Sequence, residues 1–65
     1  MINVAICDDV IATTGKIETM LQNIAKRNFI PIDTDVFWEG GHLVASVEMG
    51  NSFDIIFLDI EMGQE

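Results

Sequence analysis

The sequence predicts an α/β fold built on a parallel sheet, with the element order β-α-β-α-β. Two observations support this prediction. Short apolar runs of the kind that form buried strands occur at residues 2–7 and 53–60. Between them, apolar residues recur with the period of about 3.6 that is typical of covering helices. Strands that alternate with helices over short connections are characteristic of a parallel sheet.

The first strand is predicted at residues 2–7, which are small or β-branched and almost wholly apolar. A helix follows over residues 11–28. The apolar face of this helix is formed by Ile17, Met20, Leu21, Ile24 and Ala25. Basic residues gather in its last turn, where they suit the helix dipole, and Asp9, Thr13 or Thr14 is expected to cap its start.

Pro31 opens the second strand, which covers residues 32–37 or 32–38. Asp33 and Asp35 alternate with apolar or β-branched residues here. Because alternate residues of a strand point to opposite faces, one side of this strand is in water. The pattern predicts an edge strand.

A short second helix is predicted at residues 42–49, with Gly50 as its C-terminal stop. The residues expected to face inward are Leu43, Val44 and Val47. The third strand, residues 53–60, is the most apolar segment, and a strand of this kind is covered on both faces. Since the sequence continues only to residue 65, we expect residues 1–65 to be the N-terminal half of a larger domain.

Composition excludes several classes of protein. The 65 residues include 11 acidic and 3 basic side chains, a net charge of -8, which opposes direct contact with nucleic acid. A hydrophobic fraction of 49% is too high for a disordered acidic tail. One cysteine and one histidine provide neither a disulfide nor a zinc site. With no signal peptide or membrane span in the pattern, a cytoplasmic location is expected.

Acidic residues stand at the ends of two apolar strands. Asp8 and Asp9 follow the first strand, and Asp59 lies near the end of the third. If these strands are neighbours, the three carboxylates meet at the edge of the sheet where ligands of open parallel sheets bind. Clustered carboxylates repel one another, so they favour a proton or a hard cation; oxygen ligands favour Mg²⁺, or Mn²⁺ in its place. The alternative is that Asp8 and Asp9 only cap a helix and that Asp59 ends a strand in solvent.

Two segments carry a resemblance to a known family. V-A-I-C-D-D at residues 4–9 and F-D-I-I-F-L-D-I-E-M at residues 53–62 resemble the receiver domain of two-component response regulators, over the first half of that domain. The resemblance implies a truncated flavodoxin-like, doubly wound sheet of order 2-1-3. The cysteine before the acidic pair and the I-E-M ending look most like receivers that carry a LytTR-type DNA-binding output domain.

The resemblance also implies roles for individual residues. Asp59 matches the aspartate that accepts a phosphoryl group from a histidine kinase, and the domain is a switch and not an enzyme with turnover. Asp8, Asp9 and Asp59 match the acids that hold Mg²⁺, together with the main-chain carbonyl of Glu61. The hydroxyl and lysine that contact the phosphoryl group in this family lie on later strands, after Glu65, so we expect residues 1–65 alone to lack full activity. Gly63 stands where the family commonly has proline.

Two other functions remain open at this point. One is a pseudo-receiver that uses the fold only for protein contacts. The other is a phosphatase resembling the haloacid-dehalogenase family, which also has a nucleophilic aspartate with a second acid two residues later, as Asp59 and Glu61 are spaced here. In the family's sheet order, the third strand is left as an apolar edge, which predicts self-association of this chain through that strand or by exchange of elements.

Overall fold

A computed structural model of the chain describes residues 1–59. Five elements follow one another: β1 (Ile2–Cys7), α1 (Ile11–Arg27), β2 (Ile32–Phe37), α2 (Gly40–Glu48) and β3 (Ile55–Leu58). The three strands form one parallel sheet of order β2-β1-β3. The predicted α/β fold, its β-α-β-α-β pattern and the strand order are confirmed.

The central strand β1 forms the core of the molecule. Val4, Ala5, Ile6 and Cys7 are 0–2% exposed. β1 pairs along its whole length with β2 and over its last four residues with β3, where Cys7 lies opposite Leu58. A strand with neighbours on both edges and helices on both faces has to be apolar throughout, and β1 is the strand that meets this condition.

The two helices lie on opposite faces of the sheet. α2 packs against β1 and β2 through Leu43, which joins Ala5 and Cys7 in a buried cluster edged by Phe37 and Phe53. The rings of Phe37 and Phe53 meet edge to face, with centroids 6.0 Å apart. α1 also packs against β1 and β2, from the other side.

Helix α1 buries less of its apolar face than the sequence predicts. Ala25 is buried, as expected, but Met20 and Ile24 are 58% and 47% exposed. The reason is that α1 lies over β1 and β2, so the part of its apolar face directed away from those strands has no sheet beneath it. Thr14, which the periodicity leaves out, is buried at 2% exposure.

The prediction for α2 is also partly wrong. Leu43 is buried, but Val44 and Val47 are about half exposed, because a helix of nine residues touches the sheet along a single narrow line. The helix begins at Gly40, two residues before the predicted start. The last strand is shorter than predicted, at Ile55–Leu58, and residue 60 of the predicted strand lies outside the described residues.

Strand β3 forms an edge of the sheet, and its side chains are uncovered. Ile55, Ile56, Phe57 and Leu58 are 39–54% exposed. β2 forms the other edge, with Asp33 and Asp35 exposed as the alternation predicts. Within residues 1–59, no helix has both the length and the apolar character needed to cross a bilayer.

Both helices end in the same backbone motif. After α2, the N–H of Gly50 donates to Val47 and that of Asn51 to Ser46, with Gly50 at φ 103°. After α1, the N–H of Ile30 donates to Ala25 across the left-handed residue Phe29, at φ 56°. Each is a Schellman turn, which normally places glycine at the left-handed position. Gly50 is confirmed as a stop signal, whereas Phe29 takes this position without the usual residue.

Candidate metal centre

The topology brings together three acids that are far apart in the sequence. Asp8 follows β1 and Asp59 follows β3, and the ends of these strands are in register at Cys7 and Leu58. One carboxylate oxygen from each of Asp8, Asp9 and Asp59 lies within 4.8 Å of the other two. The structure therefore places all three predicted acids at one edge of the sheet.

Asp8 is the most buried member of the cluster. Asp8 is only 8% exposed, and its Oδ1 accepts a hydrogen bond of 2.9 Å from the N–H of Val10. Its own N–H donates to the carbonyl of Phe37 at the end of β2, at 3.0 Å. The carboxylate is thus held in one orientation, and its second oxygen is left for a ligand.

Helix capping differs from the prediction, which had placed Asp9, Thr13 or Thr14 at the cap. α1 begins at Ile11, so Val10 occupies the cap position and supplies no side-chain hydrogen bond. Thr14 lies inside the first turn, and its Oγ1 donates to the carbonyl of Ile11 at 2.7 Å. Because Asp9 precedes the cap residue, its carboxylate remains part of the acidic cluster.

The other two acids are more open to solvent. Asp9 is exposed and Asp59 is half-buried, and the N–H of Asp59 donates to the carbonyl of Cys7 at 3.1 Å. A cavity of about 340 Å³ lies beside the cluster. Its walls are Ile6, Cys7, Asp8, Ile17, Phe57, Leu58 and Asp59. Asp8 and Asp59 are therefore the charged residues in the wall of an otherwise largely apolar cavity that is open to water.

Mutual repulsion makes this cluster unfavourable without a cation. At 4.8 Å, two carboxylates repel by about 3.5 kcal/mol at an effective dielectric of 20, and by about 0.9 kcal/mol in the dielectric of water. Asp8 is buried and Asp9 is exposed, so the real repulsion lies between these limits. Within residues 1–59, no basic side chain forms an ion pair with Asp8 or Asp9.

The donor set fits a small, hard cation. Three carboxylate oxygens on two strand ends can bind Mg²⁺, which prefers oxygen and keeps several of its waters. Mn²⁺ accepts the same ligands. Asp8, Asp9 and Asp59 would hold the cation. The fourth predicted ligand, the carbonyl of Glu61, lies outside the described residues.

Cys7 lies directly beside the acids but is not suited to act as a nucleophile. Its side chain is buried, and this burial, together with the neighbouring charge of Asp8, raises the pKa of its thiol. A raised pKa leaves little thiolate at neutral pH. Cys7 therefore acts as a core residue, packed with Ala5 and Leu43.

Several contacts at this edge of the sheet were not predicted from the sequence. The N–H of Val10 and the carbonyl of Phe37 hold Asp8, and both are backbone groups that any residue would supply. The indole N–H of Trp38 donates to Oγ1 of Thr14 at 3.1 Å, whereas the sequence indicated only packing for Trp38. A tryptophan directly after a strand that ends at the acidic edge was the available signal.

Comparison with known proteins does not assign this chain to a family: neither a family model, nor a curated protein, nor a solved structure was found to match it. The functional argument therefore depends on the geometry of the three acids and on the sequence motifs that contain them.

Proposed function

We propose that this chain is a phospho-accepting receiver module of a two-component response regulator, with Asp59 as the acceptor. The observation that supports this most directly is the convergence of Asp8, Asp9 and Asp59 within 4.8 Å. Phosphoryl transfer requires positioning and neutralisation of charge more than covalent chemistry from the protein. A cluster of acids beside an open cavity, with Mg²⁺ as the required partner, is suited to that task.

In the proposed reaction, a carboxylate oxygen of Asp59 attacks the phosphorus of a phosphohistidine on a sensor kinase. The new O–P bond forms as the N–P bond breaks, and the histidine nitrogen leaves with the electron pair. Asp8, Asp9 and Asp59 would hold the cation, with Asp59 supplied by the neighbouring strand β3. When bound, Mg²⁺ neutralises the oxygens of the phosphoryl group and of the acids around it.

The position of Asp59 suits an acceptor better than a purely structural acid. It is half-buried, directly after β3, and it lines the cavity together with Asp8, so its carboxylate is reachable from solvent at the edge of the sheet. Its backbone N–H donates a hydrogen bond to the carbonyl of Cys7 in β1. This bond fixes the position of Asp59 relative to Asp8, the residue that follows Cys7.

The partners follow from the proposed reaction. A cytoplasmic histidine kinase supplies the phosphoryl group, and an output domain of the parent protein, which the sequence motifs suggest is DNA-binding, reads the change. The acceptor is modified once for each signal, so the module is a switch and not an enzyme with turnover. A negative charge of -8 is consistent with a module that leaves contact with DNA to another domain.

The test is phosphoryl transfer to the chain itself. The protein is incubated with Mg²⁺ and a small phosphoramidate donor, and its intact mass is measured. We expect a fraction of the protein to gain the mass of one phosphoryl group, Asp59→Asn to abolish this gain, and Asp35→Asn, which removes an exposed acid outside the cluster, to retain it. Magnesium omission should also abolish it.

Two results would contradict the proposal. An increase in mass that persists in Asp59→Asn would place the acceptor elsewhere. Continuous release of phosphate from a small phosphate ester, dependent on Asp59, would indicate a hydrolase instead of a switch.

A further inference from the structure

Trp38 links strand β2 to helix α1 at the acidic edge of the sheet. It follows directly after β2 (Ile32–Phe37), and its indole N–H donates to Oγ1 of Thr14 at 3.1 Å. Thr14 is only 2% exposed, so this hydrogen bond is shielded on the side of its acceptor. A shielded hydrogen bond between two side chains of different elements fixes their relative position.

The same hydroxyl of Thr14 organises the first turn of α1. It donates to the carbonyl of Ile11 at 2.7 Å, while the N–H groups of Thr13 and Thr14 donate to the carbonyl of Val10 at 3.1 and 3.2 Å. Since Val10 offers no side-chain cap, the turn lacks the usual local restraint. The hydrogen bond from Trp38 supplies a restraint from outside the helix.

This first turn also holds the carboxylate of Asp8. The N–H of Val10 donates to Oδ1 of Asp8 at 2.9 Å, and the N–H of Asp8 donates to the carbonyl of Phe37 at 3.0 Å. Both restraints on Asp8 lead back to the end of β2. The backbone of Asp8 is bound to the residue before Trp38, and its carboxylate is bound to the turn that Trp38 anchors.

We propose that Trp38 is a positioning residue for the cation site: through Thr14 and the first turn of α1, it holds the Asp8 carboxylate in place toward Asp9 and Asp59. The inference rests on the proposed function only in treating the three acids as a cation site. Groups that hydrogen-bond a metal ligand from outside the coordination shell typically contribute tenfold or more to affinity. The N–H of Val10 is such a group for Asp8, and Trp38 acts on it through Thr14 and the first turn of α1.

The test uses two variants that remove the same hydrogen bond from opposite ends. Trp38→Phe removes the donor, keeps an aromatic ring and leaves the bond from Thr14 to Ile11 in place. Thr14→Val removes the acceptor and also the bond to Ile11, and it keeps the shape of the side chain. Thr14→Ser retains the hydroxyl and should behave like the wild type. Thr14→Val also provides an answer if Trp38→Phe does not fold.

The first measurement is amide hydrogen exchange of the metal-free chain, followed by NMR. We expect exchange of the Val10 amide to become about fivefold to tenfold faster in Trp38→Phe and in Thr14→Val, the loss expected for one hydrogen bond. The amide of Ile6, in the centre of β1, serves as the internal reference and should not change. Unchanged exchange at Val10 in both variants would overturn the proposal.

The second measurement is the Kd for Mn²⁺, by calorimetry at neutral pH. We expect the Kd to rise about tenfold in both variants and to return to the wild-type value in Thr14→Ser. Faster exchange at Val10 with an unchanged Kd would show a purely structural contact and would also overturn the proposal. If the wild type binds no Mn²⁺, the proposed function fails, and the exchange data still decide whether Trp38 holds Asp8.

Discussion

Neutralising Asp9 should change the stability of the protein in opposite directions with and without magnesium. Asp9→Asn removes the repulsion between Asp9 and two other carboxylates within 4.8 Å, each pair worth about 0.9 kcal/mol in the dielectric of water, the lower of the two limits given above. Screening at 0.1 M salt, with a Debye length of about 10 Å, reduces the sum to about 1 kcal/mol. Loss of a negative charge near the start of α1 costs about 0.3 kcal/mol at an exposed position. We therefore expect the variant to be more stable than the wild type by about 0.7 kcal/mol in EDTA.

Magnesium should reverse this order. At a Mg²⁺ concentration of ten times the Kd, a cation that binds only the folded state stabilises it by about 1.4 kcal/mol. The wild type gains this contribution, whereas Asp9→Asn has lost a ligand and a negative charge and gains little. The free energy of unfolding of the wild type should then exceed that of the variant.

The assay is urea denaturation followed by far-UV circular dichroism, at low protein concentration, in EDTA and across a Mg²⁺ titration. Asp35→Asn is the matched control, because it makes the same change of charge at an exposed position outside the cluster. It should retain the full response to magnesium. If the wild type gains no stability from Mg²⁺, or if Asp9→Asn gains as much as the wild type, the three acids do not form a cation site.

Three more predictions concern other parts of the molecule. The exposed edge strand β3 predicts self-association, so the apparent mass in light scattering should rise from 7.2 kDa as the protein concentration increases. Phe57→Lys should keep the chain monomeric, whereas the control Met49→Lys, at an exposed position outside the sheet, should not. A wild type that is monomeric throughout the micromolar range would contradict this prediction. Substitutions in the two Schellman turns should change the free energy of unfolding in opposite directions, each by about 1 kcal/mol. Phe29→Gly should raise it, because glycine adopts the left-handed conformation without strain, and Gly50→Ala should lower it, because alanine does not. Effects of the same sign in urea denaturation would contradict the assignment of the motif. Burial and then Asp8 raise the pKa of the Cys7 thiol, so the folded state holds this proton more tightly than the unfolded chain. The resulting stability is present at neutral pH and is lost as the pH rises through the raised pKa; a Cys7→Ala variant should lack this alkaline loss in pH-dependent urea denaturation.

The strands could be predicted because the relevant signals are local, whereas their order 2-1-3 was predicted from the resemblance to receiver domains. An apolar run such as Ile2–Cys7 is compatible with few structures other than a doubly covered strand, and strands that alternate with helices leave a parallel sheet as the simple arrangement. The meeting of Asp8 and Asp59 followed from the same rule, since parallel strands end at one edge.

The errors arise where a pattern in one element depends on the extent of another. Met20 and Val44 lie on the apolar sides of their helices but are exposed, because helical periodicity does not show how wide the sheet beneath the helix is. The left-handed Phe29 has no sequence signal, since the usual glycine is absent. The restraint on Asp8 by the N–H of Val10 is a backbone contact and leaves no trace in the residue types.

The β1–β3 pairing also affects when the acidic site can form during folding. β1, α1 and β2 can assemble from neighbouring segments, but Asp59 reaches Asp8 only after β3 has docked against β1, the pairing with the longest loop to close. A partly folded chain that lacks this last strand offers two acids instead of three. If the three acids form the proposed cation site, cation affinity depends on the docking of β3, and uptake of Mn²⁺ during refolding would time the arrival of that strand.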